Sequence, residues 1–226
     1  MVRLKRPRAV KVMEFMRRCK VPGAVTRLVD EERGYDDRFR SLQGNVLLQG
    51  YWQSEQYFDS IAPLLRAELT MKAPPDAANA AMEREMDSCE AVVVHVRRGD
   101  YVSNPVFAER HGVCELDYYR RGMELLRQSV KDPHCFVFSD DPDWAEQNLR
   151  LEVPCTYVTH NAGKQDQEDL RLMRHGKHFI IANSSFSWWG AWLSDHPGKR
   201  VIAPRQWYRN GGSLGRDMVP RSWTTA

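Results

Sequence analysis

Cysteine is scarce in this sequence: five in 226 residues, at Cys19, Cys89, Cys114, Cys135 and Cys155, with no Cys-x-x-Cys pair among them. That excludes a zinc or dithiol motif of the usual spacing, and an odd, scattered set fits a reducing cytosol better than a disulfide framework. Cys135 and Cys155 each open an expected strand and read as small core residues. Long apolar runs are also lacking. Nothing approaches the roughly 20 residues that span a bilayer, and no apolar signal stretch stands at the N-terminus. The expectation is therefore a cytoplasmic chain, soluble or peripheral. Repeats and low-complexity tracts are absent, which removes solenoids and disordered linkers from consideration.

Net charge is small as well, +3, but it is unevenly spread. Residues 1–20 hold eight Lys or Arg against Glu14 alone, a local +7 that leaves −4 for the remainder. Such a segment can touch an anionic membrane surface or nucleic acid, but reads better as a solvated basic helix from Val10 to Cys19. Nothing else resembles a nucleic-acid reader, so no nucleic-acid partner is expected. With 42% apolar residues the chain can bury a real core.

From Glu90 onward, short apolar runs alternate with helical periodicity, the grammar of βαβ units and a parallel sheet. Strands are expected at Ala91–Val96, Cys135–Ser139, Cys155–Thr159 and His178–Asn183, with a fifth at Arg200–Ala203. Leu116, Tyr119, Met123, Leu126 and Val130 form one stripe of a helix over Glu115–Val130. Pro142 opens a helix to Leu149, and Asp166–His175 forms another that stops at Gly176. Trp188-Trp189-Gly190-Ala191-Trp192-Leu193 reads as a largely buried helix. Upstream, Asn45–Gln49 reads as a strand, Gly50–Ser54 as a loop and Glu55–Thr70 as a helix, and residues 72–88 suit an interdomain connector.

Every strand runs into a polar loop: Arg97-Arg98-Gly99-Asp100, Asp140-Asp141, His160-Asn161, and Ser184-Ser185-Phe186-Ser187. In a parallel sheet these loops emerge along one edge, where open α/β sheets bind ligands. Two adjacent guanidiniums are planar, permanently charged donor forks suited to phosphate or carboxylate, so the expected guest is an anion. The helix after the serine loop would aim free N–H groups and hydroxyls at it; ordinary N-caps are the alternative for any one of those serines.

His95, inside a strand, is by default a buried structural histidine. Asp100, beside two arginines, is a poor proton acceptor and a good orienting partner. Asp140-Asp141 before Pro142 could bind a divalent cation but reads better as a turn and helix start. Asp169 could serve the dipole of its own helix or accept hydrogen bonds from a base or ribose.

Taken in order, His95-Val96-Arg97-Arg98-Gly99-Asp100-Tyr101, Phe138-Ser139-Asp140-Asp141 and Ile180 through Trp192 resemble glycosyltransferase family 11, the α-1,2-fucosyltransferases. Gly50-Tyr51-Trp52-Gln53-Ser54 and Tyr57-Phe58 extend the resemblance over residues 42–207. It implies an α/β, GT-B-like architecture with a Rossmann-like parallel sheet as donor domain at residues 89–226. Residues 1–88 would then supply an N-terminal, acceptor-side α/β domain and connector. That domain is expected to be incomplete, because the Gly-Gly-Leu-Gly-Asn-Gln-Met-Phe type loop of the family is not found ahead of the basic stretch.

The resemblance further implies an inverting, metal-independent transfer of L-fucose from GDP-fucose to the 2-hydroxyl of a galactose in an oligosaccharide or polysaccharide precursor. No cofactor and no metal are expected. Arg97 would be catalytic, neutralising the β-phosphate. His95, Arg98 and Asp100 would shape the donor pocket, Asp169 would contact guanine, and Ser184, Ser185 or Ser187 would hold the diphosphate. The partners would be the nucleotide sugar and a galactose-containing glycan, with peripheral association at the cytoplasmic membrane through residues 1–20. The alternative is a truncated, catalytically silent GDP-sugar-binding module.

Overall fold

The computed structural model describes residues 26–30, 34–161, 165–209, 215 and 217–226. The basic segment at residues 1–20, and with it the solvated helix and the membrane contact considered for it, lies outside the described residues. The chain divides into two compact units, Met1–Tyr57 with Ser213–Met218 and Phe58–Gly212 with Val219–Ala226. The division falls between Tyr57 and Phe58, ahead of the connector expected at residues 72–88.

In the first unit, strands β1 (Thr26–Val29) and β2 (Val46–Gln49) pair in parallel, with Thr26 opposite Val46. Asp30 ends this pair by accepting the Trp52 amide at 3.0 Å, which fixes the loop after β2. The unit is held by aromatic contact: Tyr57 packs on Tyr35, Phe39 and Trp52 with ring centroids 4.7, 4.9 and 5.3 Å apart.

The single helix expected over Glu55–Thr70 is interrupted: the first unit ends in a 3-10 turn, Glu55–Tyr57, and the second starts with another, Asp59–Ile61, followed by α1 (Ala62–Glu68). Pro63 cannot sit inside a continuous helix but suits a first turn, so the α-helix starts there. Most of residues 72–88 is helical. Asp76 accepts the Asn79 amide at 2.9 Å and caps α2 (Ala77–Asp87), a regular helix.

The larger sheet then follows the expected alternation: β3 (Glu90–Val96), α3 (Gly99–Ser103), α4 (Pro105–Arg110), α5 (Leu116–Arg127), β4 (Pro133–Ser139), α6 (Pro142–Asn148), β5 (Cys155–Tyr157), α7 (Asp166–Met173), β6 (His178–Ile180), α8 (Ser185–Leu193), β7 (Arg200–Ala203) and β8 (Thr224–Thr225). Strand order is β5-β4-β3-β6-β7-β8, and every neighbouring pair is parallel. Strands β5 and β6 stop short of their expected ends. Their chains stay extended for one more bond, Val158 N–H to Val137 C=O and Ile181 N–H to Ile202 C=O, each 2.9 Å.

Residues 91–96 of β3 are all buried, as a central parallel strand requires when helices cover both faces. The α5 stripe buries Tyr118, Tyr119, Met123 and Leu126, each contributing about 1.5–3 kcal/mol if fully withdrawn from water. Helix α8 is apolar around most of its circumference and is buried accordingly. Trp188 and Trp192 stack with centroids 6.0 Å apart, Phe58 stacks on Trp189 at 5.4 Å, and Arg66 lies 4.4 Å over Trp192. Tyr57 and Phe58, neighbours in sequence, thus belong to different aromatic clusters.

This topology sets the site. The chain builds outward from β3 through β4 to β5, then returns to β3's other side with β6. The switch point lies between β3 and β6, and the crevice beyond their carboxyl ends is the expected ligand position in such sheets. No described helix is long and apolar enough to cross a membrane.

Candidate active site at the carboxyl edge of the sheet

Strand β3 delivers His95 and Arg97, β4 delivers Ser139 and Asp140, the β5 exit delivers Thr159 and Asn161, α7 delivers Asp166 and Asp169, and α8 delivers Phe186. These residues line a cavity of about 270 Å³ together with Phe138, Pro142 and Val158. The volume lies just under the usual range of ligand pockets.

Arg97 is held from two sides. Its Nη2 lies 2.7 Å from Asp100 Oδ1, its Nη1 3.2 Å from Asp140 Oδ2, and 31% of its side chain stays exposed. A guanidinium has five N–H donors, so two carboxylates orient it and leave others for a ligand. Asp140 also accepts the Arg98 backbone amide at 2.8 Å, which ties the β4 exit to the β3 exit. Register explains the meeting: Val96 stands opposite Ser139, so the next residues of both strands leave the sheet together.

Arg98 points elsewhere. Its Nε is 3.1 Å from Asp141 Oδ2 and its guanidinium lies 3.6 Å over the Trp144 ring, so it is a fixed partner of the α6 start and does not line the cavity. Asp100 likewise acts through Arg97.

His95 is 4% exposed, and its Nδ1 has no hydrogen-bond partner among the described residues. Burial, helped by the Arg97 charge, pushes its pKa down to about 3. At neutral pH the ring is uncharged and too weak a base to take a proton; it lines the cavity while its Nδ1 stays buried and unpaired among the described residues. Asp169 shows the opposite displacement. Burial pushes its carboxyl up, opposed by a hydrogen bond from Asn161 Nδ2 at 3.0 Å to Oδ1.

A family model described as Glycosyl transferase family 11 matches residues 21–223. The chain belongs to that family. Among its curated relatives are an α-1,2-colitosyltransferase of Escherichia coli, 35% identical over 81% of this chain and 63% of its own length, and the O-antigen biosynthesis glycosyltransferase WbnK of Escherichia coli, 37% identical over 61% and 45%. The galactoside 2-α-L-fucosyltransferase Sec1 of Mus musculus is 24% identical over 70% and 45%. The chain spans less than two thirds of the length of these relatives.

For this family 11 chain, the Rossmann-like parallel sheet is as expected, and the cavity gathers His95 and Arg97 from β3 and its exit and Asp169 from α7. It does not gather the serines. Ser187 is buried, and its hydroxyl donates within its own turn to Ser184 C=O at 3.2 Å. Ser184 is the buried N-cap residue, Ser185 is exposed at the first turn of α8, and Phe186 between Ser185 and Ser187 reaches the cavity.

Two contributions escaped the sequence reading. Asp140 and Asp141, taken as a turn, are the carboxylate partners of Arg97 and Arg98. Asn161 and Asn79 hold Asp169 from behind, as described below. An Asp-Asp pair leaving a strand adjacent to Arg-Arg was a usable signal; Asn79, inside a supposed connector, gave none.

Proposed function

We propose that this crevice binds a GDP-sugar and that the chain transfers L-fucose from GDP-fucose to the 2-hydroxyl of a galactose in an oligosaccharide or polysaccharide precursor, with inversion and without a metal. The observation that carries the reading is the doubly clamped Arg97 at the switch point, sharing one cavity with the buried His95 and the half-buried Asp169.

In this reading the bond between the sugar C1 and the β-phosphate oxygen breaks, and the electron pair leaves with GDP. The galactose 2-hydroxyl oxygen bonds to C1 from the opposite face and gives up its proton. Negative charge grows on the departing phosphate, where Arg97 is already oriented and needs little reorganisation, the usual source of the largest catalytic contribution. Free amides at the start of α8, with Ser185 beside them, add further donors for the diphosphate. Asp169, an acceptor, suits the two N–H donors on the edge of guanine. Neutral His95 contributes a hydrogen bond and not the base.

A second reading, in which the transferred sugar is colitose, is favoured by the 35% identity to the colitosyltransferase against 24% to the Sec1 fucosyltransferase. Incubating the chain in EDTA with GDP-fucose or GDP-linked colitose and a galactose-terminated acceptor, with linkage analysis of the product, tests both. A 2-linked fucosyl galactose supports the first, and a colitosyl product alone supports the second. GDP binding without transfer would reduce the function to that of a GDP-sugar-binding module. No binding by a folded chain would overturn the assignment.

A further inference from the structure

Behind Asp169 lies a buried polar network that none of the motifs contains. Asn79 is fully buried near the start of α2, and Asn161 is 3% exposed at the β5 exit. Their side-chain amides bond reciprocally: Asn79 Nδ2 donates to Asn161 Oδ1 at 3.0 Å, and Asn161 Nδ2 donates to Asn79 Oδ1 at 2.8 Å. Asn79 Nδ2 also donates to Asp76 Oδ1 at 3.0 Å, and His160 Nε2 meets Asn79 Oδ1 at 3.0 Å. Asn161 Nδ2 gives its other proton to Asp169 Oδ1 at 3.0 Å.

Carboxylates at both ends fix the direction of every bond. An ionised carboxylate only accepts, so Asn79 must turn its NH₂ to Asp76 and Asn161 must turn its NH₂ to Asp169. The reciprocal pair then follows, with both N–H groups of each amide used and His160 left to donate. A saturated, low-dielectric network of this kind has one arrangement, and breaking it leaves buried polar groups unpaired. Asp169 Oδ1 is committed to Asn161, while Oδ2 has no partner among the described residues.

We infer that Asn161, anchored by Asn79, is a positioning residue that sets the specificity of the donor pocket for its nucleobase, by holding the Asp169 carboxylate in one orientation toward the N–H edge of guanine. This rests on the GDP-sugar reading above. Asn79 does not line the cavity, so its effect is transmitted through Asn161.

The test is calorimetric binding of GDP and of inosine diphosphate, which lacks the 2-amino donor, to the wild type, Asp169→Asn, Asn161→Ala and Asn79→Ser, with unfolding curves for each. Donor KM and kcat are measured in parallel. The wild type is expected to prefer GDP, and Asp169→Asn to lose the preference. Folded Asn161→Ala should lose about tenfold of it, raising donor KM with little change in kcat, as expected for a lost hydrogen bond to a charged group. Asn79→Ser, remote from the cavity, should lower the preference in the same direction, and decides the matter if Asn161→Ala fails to fold.

A wild type indifferent to the 2-amino group, or an Asp169→Asn chain that still discriminates, would overturn the base-contact reading and the positioning role with it. Discrimination lost in Asp169→Asn but kept in folded Asn161→Ala, or in Asn79→Ser where Asn161→Ala does not fold, would overturn the positioning role alone.

Discussion

Asp140 occupies the space that a side chain on Gly99 would need: a Cβ there would stand 2.4 Å from Asp140 Oδ2, the same oxygen that pairs with Arg97. The glycine of the Arg-Arg-Gly-Asp run is therefore a requirement of close approach. Gly99→Ala should displace the Asp140 carboxylate and loosen Arg97, lowering single-turnover transfer by roughly 100-fold, the scale of a 1 Å misplacement. Unchanged turnover would show that the Asp140 contact does not orient Arg97.

Arg97 itself should matter more. On the proposed function, Arg97→Ala would take a donor away from the departing diphosphate and should reduce kcat about 100- to 1000-fold. Arg97→Lys keeps the charge but loses the planar fork that Asp100 and Asp140 grip, and should fall between. Pre-steady-state kinetics on folded variants separates these outcomes from a binding defect.

Much of this arrangement was legible in the sequence. Strands β3, β4 and β7 carry uninterrupted apolar runs, the stripe of α5 has helical spacing, and the polar residues after each strand mark one edge once the sheet is parallel. The rest was hidden for physical reasons. Pro63 and the opposite commitments of Tyr57 and Phe58 break an apparently continuous helix, and no local pattern reveals which cluster a neighbouring aromatic joins. Asn79 is polar, alone and in an Ala- and Glu-rich stretch; its importance comes from a partner 82 positions away. Ser187 looked like a ligand donor, yet helical geometry offers its hydroxyl a carbonyl three residues back.

Gly176 illustrates the same limit. Expected as a helix stop, it does follow the last turn of α7, its N–H bonded to Met173 C=O at 3.0 Å, and it also leaves room: a Cβ would lie 2.6 Å from Val93 Cγ2 and 2.8 Å from Phe179 Cζ, both fully or nearly fully buried. Gly176→Ala should destabilise the protein by about 1–3 kcal/mol through overpacking, read as a lower urea midpoint with unchanged slope.

Acid should weaken the fold through His95. Its ordinary pKa of 6.5 is pushed down to about 3 in the folded chain, so between these values the unfolded state binds a proton that the folded state refuses. Stability is therefore intact above pH 6.5 and falls as the pH drops below it. His95 alone should remove on the order of 1 kcal/mol at pH 5.5. Burial holds His111 and His178 down in the same direction, so the His95 share is the difference in slope between wild type and His95→Gln in urea titrations from pH 7.5 to 5.5. Parallel slopes would contradict it.

The central claim, a GDP-sugar site at the switch point between β3 and β6, is tested most directly by calorimetric titration of the 226-residue chain with GDP in EDTA, with ADP as control and Arg97→Ala as the paired variant. The account predicts GDP binding that ADP does not match and that Arg97→Ala weakens. A folded chain that takes up neither nucleotide, or binds GDP and ADP alike regardless of Arg97, would contradict it.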